Sequence, residues 1–131
     1  MPIYTCTTTE STLNAQQKSA LAREITRIHS PINHVPTTYI NVVFHELPAD
    51  SVYTGGVPAS PVLVTSLFRA GHPEAETTRL VTEIAAAVTR VTGIAADRVL
   101  VAMQTTLAQF AFVLGRFFPD PVEEHAANAK D

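Results

Sequence analysis

The chain has 131 residues, of which 46% are hydrophobic, and its formal net charge at pH 7 is −3. This length fits one domain with an ordinary core, and the apolar content excludes a disordered chain. The lack of a basic block argues against a nucleic-acid partner, and no apolar run approaches the ~18 residues of a membrane span.

The single cysteine, Cys6, excludes an internal disulfide and a cysteine-only zinc site. The polar N-terminal region lacks the apolar stretch of a secretory signal, so we expect a cytoplasmic protein.

The first elements predicted along the chain are a strand and a helix. Ile3–Thr9 is rich in β-branched residues, which is typical of a strand. Asn14 and Gln17 then have the spacing of an N-cap and its capping-box partner. We expect this helix to end near Ser30, because Pro31 disfavours helical geometry in the residue before it. Its apolar residues recur at helical spacing and form one stripe: Leu21, Ile25, Ile28 and Ile32.

A second strand and a turn-rich segment complete the first half. Residues 38–46 alternate in polarity, with Ile40, Val42 and Phe44 on one face of the predicted strand. Residues 48–61 are rich in proline, glycine and small polar residues, and they predict a loop with a short hairpin.

The same order of elements repeats in the second half. Residues 61–68 predict a strand, Pro73 lies near the first turn of a helix, and residues 98–103 predict another strand. Gly93 stands where the left-handed residue that ends a helix belongs. The apolar stripe of this helix consists of Leu80, Ile84, Val88 and Val91.

Two β-α-β units predict an α/β (α+β) fold, in which a four-stranded sheet carries both helices on one face. We expect a single domain over residues 1–118, with halves at 1–50 and 60–105. Residues 106–118 predict a short turn plus an edge strand that pairs with a neighbouring subunit, and residues 119–131 predict a loose tail. The second face of the sheet stays uncovered, so we expect a homo-oligomer to bury it.

The opening residues MPIYTC raise a chemical possibility. Methionine is usually trimmed before a small residue, and trimming of Met1 leaves Pro2 with a free secondary amine. Burial and a nearby cation both lower the pKa of such an amine, which suits a general base or acid at neutral pH. The alternative is an ordinary proline at the start of a strand, where no donor is needed.

Other side chains are candidates on their own chemistry. Arg69 follows the third strand, and its planar guanidinium matches a carboxylate, although a solvated surface arginine is the plain alternative. His29 lies at the end of the first helix, a position that favours a cationic histidine. Tyr39 and Asn41 belong to the second strand region and line either a pocket or a subunit contact. No histidine spacing indicates a metal site.

Together these features resemble the tautomerase superfamily, and within it the cis-3-chloroacrylic acid dehalogenase group. The resemblance rests on the duplicated β-α-β halves and on Pro2, His29, Arg69, the YTGGV of residues 53–57 and the LGRFFPDP of residues 114–121. It implies a homotrimer, a proline that acts as catalytic base or acid, and no cofactor. It also implies that Arg69 holds a substrate carboxylate and that His29 helps to bind substrate oxygen.

The sequence departs from the dehalogenase group at three positions. His72 stands where the group has a second arginine, and it can donate a hydrogen bond without forming a bidentate fork. Ala102 and Val113 stand where the group has a tyrosine and a glutamate that activate water. Because neither side chain can accept a proton, we expect dehalogenation or hydration to be weak or absent. These apolar residues also favour an aryl or alkyl substrate.

The sequence therefore predicts a tautomerase for a small 2-oxo acid, such as a phenylpyruvate-like enol. Pro2, Arg69 and His29 are the predicted catalytic residues. The predicted substrate-binding residues are His72, Tyr39, Ala102 and Val113. Two alternatives remain: a dehalogenase or hydratase acting on unsaturated acids, and a binding protein that keeps the fold without catalysis.

Overall fold

The structure is a computed structural model that describes residues 2–117. Residue 1 and residues 118–131 are outside the described part, and the expected loose tail at 119–131 therefore stays a prediction. No helix within residues 2–117 is long and apolar enough to cross a membrane.

A mixed four-stranded sheet forms the centre of the fold. Its strands are β1 (Ile3–Thr9), β2 (Asn41–Leu47), β5 (Val62–Arg69) and β6 (Val99–Thr106), in the spatial order β2-β1-β5-β6. The strands within each β-α-β unit are parallel, and the two units meet where β1 and β5 pair antiparallel. The expected four-stranded α+β architecture is confirmed.

Helix α1 (Ala15–Asn33) begins as predicted and ends later than predicted. The side chain of Asn14 accepts a hydrogen bond from the backbone N–H of Gln17, and the Gln17 side chain accepts one from the backbone N–H of Asn14. The expected end near Ser30 is wrong, since the helix continues through Pro31 to a left-handed cap at His34. Pro31 has no N–H to donate within the helix and its ring crowds the carbonyl four residues earlier, and the burial of the next two residues, Ile32 and Asn33, offsets this cost.

The connections confirm the predicted turn positions. Short strands β3 (Tyr53–Thr54) and β4 (Val57–Pro58) form the hairpin expected within residues 48–61. Its two turn residues, Gly55 and Gly56, have φ of 59° and 78°, which a side chain would disfavour. Helix α2 (Glu74–Thr92) ends at Gly93 in the left-handed conformation, as predicted.

The core lies between both helices and one face of the sheet. The predicted stripes of the helices lie there, buried except for the partly buried Val91, against the β1 and β5 residues that alternate toward the same side. The central members of this cluster are Tyr4, Cys6, Leu21, Ile25, Val62, Val64, Leu80, Ile84 and Val88. Burial raises the pKa of the Cys6 thiol to about 12, so the only cysteine stays protonated and is not a nucleophile.

The opposite face of the sheet is open and partly apolar in the single chain. Ile3, Val43 and Leu100 lie on it with 41%, 40% and 51% of their surface exposed. Beyond β6, a short 3₁₀ turn (Ala108–Phe110) leads to a hairpin of β7 (Phe112–Val113) and β8 (Arg116–Phe117). The turn expected within residues 106–118 is present, but the described strands pair with each other and not with the sheet.

Candidate active site

One end of the sheet brings together the start of β1 and the end of β5. Ile3 pairs with Leu67 in the antiparallel register, so extending the pairing by one residue places Pro2 opposite Phe68. Pro2 is buried, and its carbonyl accepts a hydrogen bond of 3.0 Å from the backbone N–H of Asn41. The last residue of β5, Arg69, therefore lies at the same end of the sheet as Pro2.

Arg69 is buried in this end of the fold, with only 2% of its surface exposed. Its guanidinium charge acts on two histidines, since it lowers the pKa of both His29 and His72. A buried permanent cation is costly unless anionic or polar groups surround it, so this position is unlike a solvated surface arginine.

His29 is buried among aromatic side chains. It is 1% exposed, and its ring meets the rings of Tyr4 and Phe68 edge-on, at centroid distances of 5.5 and 6.4 Å. Burial, together with the nearby charges of His72 and Arg69, lowers the pKa of His29 to about 3. His29 is therefore neutral at pH 7, because desolvation outweighs the preference of a helix end for a cation.

Both ring nitrogens of His29 have partners in the protein. The side-chain amide of Asn33 donates to Nε2 at 3.3 Å, which leaves the ring proton on Nδ1. Nδ1 then donates to the hydroxyl oxygen of Tyr4 at 2.7 Å. Because a hydroxyl can also donate, Tyr4 can support the other neutral tautomer of His29 equally well.

His72 follows β5 and is nearly enclosed, with 6% of its side chain exposed. Its ring contacts that of Phe68 in a tilted arrangement, at a centroid distance of 6.1 Å and an angle of 33°. Nδ1 of His72 lies 3.4 Å from the carboxylate of Glu76. Burial lowers the pKa of His72 and the charge of Arg69 lowers it further, while Glu76 acts in the opposite direction.

The rings of His29 and His72 both contact Phe68, and together with Arg69, the next residue of β5, they form what we call the basic cluster. Each histidine in it responds to the charge of the arginine, which shows that the three groups are close enough to interact. A cluster of this kind, at the same end of the sheet as Pro2, suits a small anionic ligand.

Tyr39 lies beside this end of the sheet, two residues before β2. It is half-buried in a 3₁₀ turn (Thr37–Tyr39), and its hydroxyl oxygen accepts a hydrogen bond of 2.9 Å from Arg116. The C-terminal hairpin is thereby tied to the start of β2, close to Pro2 and Asn41.

Ala102 and Val113 lie apart from the basic cluster within one chain. Ala102 pairs with Thr65, whereas Arg69 pairs with Thr106, so Ala102 is about 13 Å along the strand from that end. It lines a pocket of about 300 Å³ on the open face of the sheet, together with Ile3, Thr5 and Gln104. Val113 pairs with Arg116 in the hairpin, and within residues 2–117 no described contact joins it to the cluster.

Sequence reasoning missed the side chains that hold the cluster in place, namely Tyr4, Asn33, Phe68 and Glu76. Glu76 follows His72 at the i,i+4 spacing of a helical pair, which is a signal visible in the sequence. Tyr4 shares the core-facing alternation of Cys6, but nothing local indicates that it reaches His29. Within the described residues, no group of three or more His, Cys, Asp or Glu side chains could hold a metal ion.

Comparison with known proteins agrees with this fold. Residues 1–130 match the family Tautomerase_3, described as "Putative oxalocrotonate tautomerase enzyme". The structure of native Ps01740 is 34% identical, with 84% of this chain and 98% of that chain covered and a TM-score of 0.82. No curated protein sequence gives a significant match.

Two more distant structures share the fold. N1, a member of the cis-3-chloroacrylic acid dehalogenase family, is 21% identical over 98% of this chain and 92% of its own, with a TM-score of 0.90. A wild-type fused 4-OT, described as a symmetric trimer, is 18% identical over 88% of this chain and 94% of its own, with a TM-score of 0.81.

Proposed function

This chain belongs to the Tautomerase_3 family of the tautomerase superfamily, and on that premise we propose that it catalyses keto–enol isomerisation of a small 2-oxo acid. The substrate is a phenylpyruvate-like enol, the base and acid is Pro2 freed by removal of Met1, and no cofactor takes part. The observation that carries the proposal is the buried Arg69 at the end of the sheet where Pro2 precedes β1.

Pro2 is proposed to move the proton. Its neutral amine takes the proton of the enol hydroxyl, and the oxygen electrons form the carbonyl bond as the carbon–carbon π electrons move toward the neighbouring carbon. The prolinium then delivers the same proton to that carbon and returns to the neutral amine, so the cycle is balanced. Burial and the positive charge of Arg69 both favour the neutral amine, as a base working near pH 7 requires.

Arg69 and the histidines are proposed to hold the substrate. Arg69 binds the carboxylate through its planar fork, and His72 adds a hydrogen bond to the same anion. His29 is neutral, so it serves as a donor only if its proton moves to Nε2. The hydroxyl of Tyr4 makes that tautomer available, because it can donate a hydrogen bond to Nδ1. The Nε2–H then donates to the substrate oxygen, which replaces Asn33 as the partner of Nε2.

We also propose that the assembly is a homotrimer. The partly apolar open face of the sheet supports burial against other copies of the chain. Such an assembly would bring the open face, with Ala102, and the hairpin, with Val113 and Tyr39, next to neighbouring chains. Their proposed part in lining an apolar substrate pocket depends on that assembly.

The test is intact-mass measurement of the expressed protein together with ketonisation of phenylenolpyruvate by wild type and Pro2→Ala. We expect loss of Met1 and a fall in rate of about 10²–10⁴-fold in the variant. Pro36→Ala, at an exposed proline, is the matched control and should keep wild-type activity. Retained Met1 with undiminished turnover would remove Pro2 from the mechanism. An absence of any turnover would favour a binding protein on the same fold.

A further inference from the structure

The ring of His72 is held from two directions. Phe68, itself 2% exposed, lies beside it with the two rings tilted by 33° at a centroid distance of 6.1 Å, and this contact limits the movement of the His72 ring. The carboxylate of Glu76 lies 3.4 Å from Nδ1, close enough to attract a ring N–H, although the pair does not have hydrogen-bond geometry. Of the two orientations that a histidine ring can adopt in such a slot, only one directs Nδ1 to the carboxylate, and it leaves Nε2 on the other side.

Glu76 is itself held in place. It belongs to the first turn of α2, where its backbone N–H donates to the carbonyl of Pro73 at 3.0 Å. Its Oε2 is buried and makes no hydrogen bond among the described residues, and its Oε1 lies 3.5 Å from Nε2 of His34, the residue that caps α1. The carboxylate therefore joins the end of one helix to the beginning of the other.

Glu76 is acidic, whereas the other titratable groups named near His72 are basic. Arg69 from β5, His34 from α1 and His29 from the same helix are the basic groups that act on this part of the fold. Glu76 is the negative side chain that faces His72 among the described residues. Arg69 is the permanent cation near this ring and disfavours its protonation, whereas the Glu76 carboxylate offers an acceptor for the N–H at Nδ1 and so favours a proton at that position.

We propose that Glu76 is a positioning residue, whose carboxylate accepts the Nδ1–H of His72 and supports the protonated ring, so that its Nε2–H donates to a carboxylate ligand held beside Arg69. The ligand part rests on the proposed function. The orientation of His72 does not, because it concerns contacts within the folded chain alone. The consequence is a ligand site that combines a permanent cation, Arg69, with a titratable donor whose strength is adjusted by Glu76.

The experiment uses the full-length ¹⁵N-labelled protein and long-range ¹H–¹⁵N correlation of the histidine rings, with His72 assigned by His72→Gln. Wild type is compared with Glu76→Gln, and the matched control is Glu83→Gln on the same helix, whose side chain is 41% exposed and pairs with Arg79. Phenylacetate, an unreactive carboxylate, is titrated into each protein to measure Kd.

We expect the neutral His72 of wild type to carry its proton on Nδ1, and Glu83→Gln to behave in the same way. Glu76→Gln should lower the pKa of His72, mix its tautomers and weaken phenylacetate binding by roughly tenfold. In turnover assays the variant should raise KM and leave kcat near wild type.

A wild-type His72 with its proton on Nε2, or a tautomer and titration unchanged in Glu76→Gln, would overturn the orientation. A changed tautomer with unchanged Kd would overturn the ligand role. The tautomer of His72 and the Kd of phenylacetate are both measured without turnover. An inactive protein would therefore refute the proposed function, and these two measurements would still decide the inference about Glu76. Binding of phenylacetate that is unaffected by Arg69→Gln would likewise remove the ligand from the proposed position.

Discussion

The hydroxyl of Tyr4 lies 2.7 Å from Nδ1 of His29, and this buried contact joins β1 to the end of α1. The two residues are 25 positions apart in the sequence, and their rings meet at 83°. The contact gives Nδ1 of the buried, neutral His29 a hydrogen-bond partner in the interior, near the cationic Arg69. It links the stability of the fold to the candidate active site.

Tyr4→Phe should destabilise the protein by about 1–3 kcal/mol, because it leaves the Nδ1–H of His29 buried without its acceptor. The measurement is urea unfolding at pH 7.5. Tyr53→Phe is the control, since Tyr53 is 55% exposed and its replacement should change stability by less than about 0.5 kcal/mol. Equal stabilities for the two variants would contradict the contact.

The stability of the protein should fall in mild acid because of His29. Its pKa is about 3 in the folded chain and 6.5 as an ordinary value, so between these pH values the unfolded chain binds a proton that the folded chain does not. Stability therefore decreases as the pH drops below ~6.5, by about 1.4 kcal/mol per pH unit and about 2 kcal/mol at pH 5.

Urea unfolding of wild type and His29→Gln at pH 7.5 and pH 5 measures this contribution. The variant should lose about 2 kcal/mol less than wild type over that interval, and a smaller dependence should persist because the pKa of His72 is also lowered. His45→Gln, at an exposed position of β2, should keep the full wild-type dependence. A pH dependence of the same size in His29→Gln would show that His29 titrates normally.

Arg69→Lys should raise KM for phenylenolpyruvate by roughly tenfold or more, because an ammonium replaces a planar fork that binds both carboxylate oxygens. Steady-state kinetics measures the effect. Arg79→Lys is the control, at an arginine whose side chain is 64% exposed on α2. Unchanged KM in Arg69→Lys would argue that the substrate carboxylate binds elsewhere.

Hydration of unsaturated acids should be at least ~10² slower than ketonisation, because Ala102 and Val113 offer no side-chain group that could activate water. Assays of cis-3-chloroacrylate and an acetylenic acid, beside phenylenolpyruvate, compare the two reactions. Turnover of either unsaturated acid at a rate similar to ketonisation would require another base and would favour the dehalogenase or hydratase alternative.

Leu100→Lys should weaken the homo-oligomer, because Leu100 is 51% exposed on the open face of the sheet and a lysine there would have to be buried on association. Sedimentation equilibrium should give wild type about three times the 14.1 kDa of one chain. Ala86→Lys, at an exposed position of α2, should assemble as wild type does. A monomeric wild type would refute the proposed trimer.

Local patterns in the sequence were sufficient for the main elements of the fold. The stripe of α1, the capping box at Asn14 and the left-handed Gly93 were each predicted and confirmed. Each depends on residues within a few positions of one another, so sequence spacing alone carries the information. The position of Arg69 at the end of β5 followed in the same way, from the end of a β-rich run.

Only the tertiary structure decided how the candidate site is held and charged. It extended α1 past Pro31, because the burial of Ile32 and Asn33 outweighed a local preference. It made His29 neutral, since desolvation and the charge of Arg69 arise from distant parts of the chain. Sequence reasoning can place a residue on an element, but partners and solvent exposure come from contacts between elements, and these determine protonation and donor direction.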